Sequence, residues 1–335
     1  MSTLLQDFEF SRPASFAQLN DLLRDLRQRG QDYVFSAGGT NVIPVLKTRL
    51  YKPDHMISLT GLQELNRIER KGDHIHIGAL TTLSDLASHD LIRTHLPALG
   101  KAAHKVASPQ IRNRATIGGN LMVDNRCIYI NQSAINRQSH SPCFKADGDV
   151  CHLVKSAKRG DETLCQARFV SDTAPVLLLL KTEVNIVGPS GRRNINLNEL
   201  YKQDGIDSKS LKAGEVITSL EVEIPQAAGL HYQKLAIRNA LDFPSLGVAV
   251  RMDERAGRRE LGVALTGLNT HPGVFHANST NYATFDDMVA DICARASDFA
   301  VTYQQDFFPR AYRKSMIPVF IRRGVETIEK EKNHE

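Results

Sequence analysis

Two periods of apolar residues alternate along the chain. Phe16, Leu19, Leu22, Leu23 and Leu26 recur three and four apart, the stripe of an amphipathic helix. Ser15 is placed to cap that helix and Gly30 to end it. Tyr33, Val34 and Phe35 form a short buried strand that runs into Ser36-Ala37-Gly38-Gly39-Thr40-Asn41. A helix carrying Val42, Val45 and Leu46 follows, with Pro44 tolerated in its first turn. With a strand over 55–59, residues 7–60 read strand, helix, strand, helix, strand. Residues 74–77 alternate after a Lys71-Gly72-Asp73 hairpin turn. Helices are predicted to open at 81–85 and to cover 97–106. A buried helix is expected over 174–180, strands over 183–187 and 216–224, and a turn at 188–191. Beyond a linker at 225–229, strands over 232–237, 246–252 and 261–267 suit an antiparallel sheet. Helices near 285–303 and 311–330 follow it, an α+β order.

Between these regular stretches, residues 126–169 show little periodicity. A loop that long inside a domain is usually functional. It holds seven Lys and Arg against four acids and reads as a basic, loop-rich insertion.

Composition narrows the classes. With 335 residues the chain is long enough for about two domains. Its 41% hydrophobic and 24% charged content is that of a globular chain, not a disordered one. A net charge of +5 is too mild for a strongly basic nucleic-acid binder. The longest apolar run, 174–180, is far shorter than the roughly 18 residues of a membrane span. The start, MSTLLQDFEF, has no basic region before its apolar residues and does not read as a signal peptide, so the cytoplasm is the expected location.

Candidate chemistry lies in three places. The Gly38-Gly39 turn between a strand and a helix can aim backbone N–H groups at an anion, with Thr40 and Asn41 as side-chain donors. A tight βα turn with a capped helix would use the same residues. Thr116-Ile117-Gly118-Gly119-Asn120 repeats the pattern, and two such loops can grip two parts of one extended ligand. Neither loop is GxGxxG or GxxxxGK[ST], which weakens Rossmann and P-loop readings. The third place is Cys127, Cys143, Cys151 and Cys165, spaced C-x15-C-x7-C-x13-C. Disulfides are not expected in a reducing compartment, so this group reads as a metal or iron–sulfur site, or as unrelated cysteines. The tight pairs of structural zinc sites are missing, though zinc stays open. Widely spaced thiolates can hold a cubane cluster if they converge in space. His74 and His76 share a strand face without a third ligand nearby and read as ordinary surface or core residues.

Taken together, SAGGTN (36–41), IGALTTLSDL (77–86), ASPQIRNRATIGGNL (107–121), SDTAPVLLLL (171–180) and KLAIRNALDFP (234–244) resemble the FAD-binding medium subunit of the molybdenum hydroxylases, the xanthine dehydrogenase and CO dehydrogenase group. RCIYINQS (126–133) and the four cysteines resemble one branch, the β subunit of 4-hydroxybenzoyl-CoA reductase. The resemblance implies an α+β fold: a two-part FAD domain of the vanillyl-alcohol-oxidase (PCMH) type over 1–225, with an iron–sulfur insertion at 126–169, then an α+β C-terminal domain over 230–331. It implies that Ala37, Gly38, Gly39, Thr40 and Asn41 hold the FAD pyrophosphate. Thr116, Gly118, Gly119 and Asn120 would form a second grip, with Thr82, Ser84 and Asp85 near it. Asp172 would lie near the cofactor, Lys234 would approach the pyrimidine end of the flavin, and Asp242 belongs to the same motif. The four cysteines would bind a [4Fe-4S] cluster.

The implied function is electron transfer within a heterotrimer, possibly dimerised. The partners would be a molybdenum-cofactor large subunit, a [2Fe-2S] small subunit and an external carrier such as ferredoxin, which the basic loop would steer. The main expectation is reductive dehydroxylation of an aromatic acyl-CoA. The alternatives are an oxidising hydroxylase acting on an aldehyde, a purine or CO, and a non-catalytic scaffold with a zinc-bound loop.

Overall fold

The computed structural model describes residues 7–158, 165–226 and 228–333. At its start β1 (Glu9–Ser11), α1 (Phe16–Gln28), β2 (Tyr33–Ser36), α2 (Val42–Lys47) and β3 (His55–Ser58) follow the expected order. The three strands form a small parallel sheet in the order β1-β3-β2. The Ser15 side chain accepts from the Gln18 N–H and starts α1, whose Leu19, Leu23 and Leu26 are buried.

A hairpin of β4 (Ile68–Lys71) and β5 (His74–Gly78) turns at Gly72 and begins a second sheet. Short helices then pack over it: α3 (Leu83–Ser88), α4 (Asp90–His95), α5 (Pro97–His104), α6 (Pro109–Arg112) and α7 (Ile117–Leu121). The insertion contributes α8 (Ala134–Arg137) and a hairpin of β6 (Val150–Cys151) and β7 (Val154–Lys158). Residues 159–164 of that insertion, with part of its expected basic charge, lie outside the described residues.

The chain then enters α9 (Ala174–Leu179) and returns to the second sheet through β8 (Thr182–Gly188), β9 (Gly191–Asn196) and β10 (Val216–Glu223). That sheet is ordered β4-β5-β10-β8-β9. All six residues of α9 are buried, as a helix apolar on every side must be. It packs between the second sheet and a third, so one core cluster joins Ile77, Leu177 and Leu220 to Tyr232, Ala249 and Ala264.

The third sheet is an antiparallel meander of β11 (Ala228–Leu235), β12 (Leu246–Arg255), β13 (Arg258–Thr266) and β14 (Gly273–Asn278). It is covered by α10 (Phe285–Phe299) and α11 (Arg310–Lys332). Cys293 is a buried core residue of α10. Besides β6 and β7 of the insertion, which was expected to be loop, β9 and β14 are strands that the apolar pattern does not announce. Both lie at sheet edges, and β9 (GRRNIN) is mostly exposed. Among the described residues no helix is long and apolar enough to cross a membrane.

The bridging role of α9 gives a direct test. Leu177 is 0% exposed. Leu177→Ala is expected to cost about 2–5 kcal/mol, read as a lower urea midpoint with an unchanged m-value.

Candidate functional site

The two Gly–Gly loops meet in one cleft of about 340 Å³, within the usual size of small-molecule pockets. Ala37, Gly38, Gly39, Thr40 and Asn41 form one wall, and Thr116, Gly119 and Asn120 another. Asp172, Leu241, Asp242 and Phe243 close it from the C-terminal side, and Arg126 borders it.

The first loop is built by close approach. A Cβ on Gly38 would stand 1.8 Å from the Arg114 carbonyl oxygen, so that backbone rests directly on the glycine. Gly39 has φ +76°, a left-handed conformation that favours glycine. The N–H groups of Gly38, Gly39, Thr40 and Asn41 have no acceptor among the described residues. Such N–H groups can donate to an anion.

The second loop differs. Ile117 N–H donates to Thr81 O (2.9 Å) and Gly118 N–H to Ala79 O (2.9 Å). Gly119 N–H donates to the Thr116 hydroxyl at 3.1 Å, and Asn120 N–H to Thr116 O at 2.9 Å. Its amides are spent within the protein, so it serves as a wall rather than a second donor cradle. The Asn120 side-chain oxygen is likewise occupied, accepting from the hydroxyls of Ser171 and Thr173, each at 2.7 Å.

Thr82, Ser84 and Asp85 do not line the cleft; they stand behind the second loop. Thr82 caps α3 by accepting from Asp85 N–H (3.0 Å), and its hydroxyl donates to Asp85 Oδ2 (2.7 Å). Thr82 pairs with Thr116 as an isolated β-bridge, and the Ser84 hydroxyl donates to Asn113 at 2.6 Å. Capping explains their polarity. Gly118 is buried beneath the loop.

Lys234 is also displaced from the expected place. Its ammonium donates to Asp172 Oδ2 (3.1 Å), Lys105 O (2.9 Å) and Asp242 O (2.8 Å), behind the cleft wall. The side chains of Lys234 and Asp172 are 6% and 3% exposed. Burial raises the Asp172 carboxyl above its ordinary range, opposed by the Lys234 cation and the Tyr232 hydroxyl, which donates at 2.7 Å. Tyr232 was missed by sequence reasoning. It stands two residues before Lys234 on the same strand face, and that spacing could have found it.

The four cysteines converge on one small cavity that also carries Tyr129, Lys145 and His152. Lys145, 5% exposed, ties the cavity to the chain around it through Asp124 Oδ1 (2.7 Å), Asn125 O (3.0 Å) and Gly205 O (2.7 Å). Arg137 anchors the insertion to the end of α2 by donating to Thr48 O at 2.6 Å. Burial pushes the Cys127 thiol up to about 11 and the Cys165 thiol up to about 12. Among the described residues no group of three or more His, Cys, Asp or Glu is drawn together tightly enough for a single metal ion. A cubane is wider than one ion, so thiolates that hold it stand farther apart. His74 and His76 each face a carboxylate, Asp73 and Glu221, both at 2.6 Å.

A larger cleft of about 1220 Å³ lies between the end of α9 and the third sheet. It contains neither Gly–Gly loop, and several of its charges pair with each other, as in Arg251–Asp253 and Arg295–Asp291.

With these features in place, the class is clear: a two-part FAD-binding fold of the vanillyl-alcohol-oxidase (PCMH) type followed by an α+β unit. A family model described as "FAD binding domain in molybdopterin dehydrogenase" matches residues 6–227, and the chain belongs to that family. It is 39% identical over 248 residues to the carbon monoxide dehydrogenase medium chain of Hydrogenophaga pseudoflava, covering 73% of this chain and 69% of that one. It is 32% identical over 244 residues to an aldehyde oxidoreductase FAD-binding subunit of Escherichia coli (strain K12), covering 70% and 76%. Among solved structures, the carbon monoxide dehydrogenase from Hydrogenophaga pseudoflava superposes with a TM-score of 0.73 at 23% identity, covering 96% of this chain and 97% of that one. Quinoline 2-oxidoreductase from Pseudomonas putida 86 does so with a TM-score of 0.71 at 19% identity, covering 98% and 99%. The chain is an oxidoreductase subunit, the flavoprotein component of a molybdenum-dependent complex. The special closeness to 4-hydroxybenzoyl-CoA reductase is not among these likenesses.

The close approach at Gly38 yields the next prediction. Gly38→Ala should weaken FAD binding at least tenfold, about 1.4 kcal/mol, in a fluorescence titration, while far-ultraviolet circular dichroism stays unchanged.

Proposed function

We propose that this chain is the FAD-binding electron-transfer subunit of an oxidising molybdenum hydroxylase, acting on a substrate such as an aldehyde, a purine or CO. The observation that carries the reading is the row of uncommitted N–H groups from Gly38 to Asn41 at the mouth of an apolar-walled cleft. Those donors suit a pyrophosphate, and Phe35, Val106, Ile111, Met122 and Phe243 suit a ring system. FAD can take up electrons one at a time and give them up singly or in pairs, and it would supply that chemistry here. Within the protein, the Gly38–Asn41 backbone binds the phosphates. The Asp172–Lys234 pair holds the far wall, and the third sheet supplies the 238–243 segment that closes the cleft. We divide the chain accordingly into an FAD unit over 1–225 and a C-terminal unit over 230–331.

The direction of electron flow follows the relatives, whose names are those of dehydrogenases and oxidoreductases. Electrons would enter from a molybdenum-cofactor large subunit through a [2Fe-2S] small subunit, and leave to a carrier. The cysteine cavity adds a feature of this chain's own, for which we propose a [4Fe-4S] cluster on Cys127, Cys143, Cys151 and Cys165. That cavity is also the observation that favours the second reading, reductive dehydroxylation of 4-hydroxybenzoyl-CoA with ferredoxin as donor.

Anaerobically purified protein is expected to contain one FAD and about four iron and four sulfide per chain, since a cubane holds that number. Zinc without iron would sink the cluster. Cys143→Ser should remove the broad cluster absorbance and leave FAD bound.

The raised thiols set a pH dependence. Unfolded cysteines titrate near 9.0, while folded Cys127 and Cys165 titrate near 11 and 12. The iron-free folded chain therefore holds these protons more tightly than the unfolded one. This contribution to stability is complete below pH 9 and is lost as pH rises from there towards 11–12. The melting temperature of iron-free protein should fall across that window, and fall less steeply in Cys127→Ala.

A further inference from the structure

The expected partner of the flavin ring was Lys234, but its charge is consumed. Asp172 neutralises it, and two backbone carbonyls take its remaining protons. The cleft nevertheless has a cation on its wall. Arg126 lines it beside Met122, Val123 and Phe243, the apolar part of the lining and not the donor loop. The Arg126 guanidinium lies over the Phe243 ring, 4.3 Å from its centroid.

Three features hold this charge in place and leave it without an ion pair of its own, although Asp124 acts on it through space. The Arg126 backbone is clamped in both directions to Arg168, N–H to O at 2.8 Å each way. Cys127, the next residue, lines the cysteine cavity and is fixed by Asn131, whose side-chain oxygen accepts from Cys127 N–H and whose own N–H donates to Cys127 O, each at 2.9 Å. The acids around it are already engaged: Asp124 pairs with Lys145 at 2.7 Å and Asp306 with Arg168 at 2.7 Å. Among the described residues no carboxylate lies within ion-pair distance of the Arg126 guanidinium.

A planar guanidinium stacks on flat π systems and keeps its charge when partly desolvated. Held near a ring between apolar side chains, it interacts more strongly with that ring when the ring is electron-rich. We propose that Arg126 is a flavin-contact residue that favours the reduced ring over the oxidised one, the role expected of Lys234. This inference rests on the FAD reading above. It also places the cation on the peptide link that joins the flavin cleft to the cysteine cavity, so a change at Cys127 would be felt at Arg126.

The test uses the full chain reconstituted with FAD, comparing wild type with Arg126→Gln, Arg126→Lys and the uncharged Arg126→Met, which serves if the glutamine variant does not hold FAD. Affinity for oxidised FAD is read by fluorescence titration, and the flavin midpoint by dye equilibration. The expected result is that removing the charge weakens binding of reduced FAD about tenfold relative to oxidised FAD. That moves the midpoint about 30 mV more negative for a two-electron couple, while lysine keeps most of the wild-type value. A neutral variant that binds FAD with the wild-type midpoint overturns the proposal. Absence of FAD binding by the wild-type chain would instead refute the FAD reading.

Discussion

The cleft depends on one buried ion pair, Asp172 with Lys234. Two charges removed from water are tolerated only when each is paired and its remaining hydrogen-bonding capacity is met. Here Asp172 accepts from Lys234 and Tyr232, and Lys234 also donates to the carbonyls of Lys105 and Asp242. Those partners come from the segment before α9, the strand β11, the end of α5 and the loop that closes the cleft. Satisfying the pair therefore fixes four pieces of chain at once. Asn120 extends the same hub, because its side chain is clasped by Ser171 and Thr173 on either side of Asp172.

The two candidate redox sites are neighbours by construction. Arg126 borders the cleft of the Gly–Gly loops and Cys127 the cysteine cavity, so a single peptide bond spans the wall between them. The insertion is not a loose appendage. Arg137 ties it to the end of α2, Lys145 to residues 124, 125 and 205, and the Arg126–Arg168 bridge closes its base. Apart from the short β6–β7 hairpin, its long non-periodic sequence is held mainly by side-chain bonds, which is why the apolar pattern is silent there.

Legibility in the sequence follows the same physics. The stripe of α1, the alternation of β5 and the fully apolar α9 were readable because each element carries its own burial pattern. β9 and β14 were not, since edge strands bury little on either side. The Gly38-Gly39 loop was readable because only glycine tolerates its geometry. The second loop looked alike but differs, because the acceptors that take two of its four amides, Thr81 and Ala79, lie on another segment, and Thr116 takes the other two. Thr82, Ser84 and Asp85 carried the residue types of a binding motif, which are also those of a helix cap. Lys234 is singled out by its motif, while its partner is not: the carboxylate that neutralises it lies 62 residues away in the chain. Local spacing reveals which residues are unusual, and long-range pairing decides what they do.

The central claim, that the buried pair organises the cleft, is tested most directly by a double-mutant cycle on Asp172→Ala and Lys234→Ala, read by urea unfolding. Each single change leaves a buried charge without its partner and is expected to cost about 3–5 kcal/mol. The double variant should lose clearly less than the sum, with a coupling of at least about 1 kcal/mol. Strict additivity of the two changes would contradict the account.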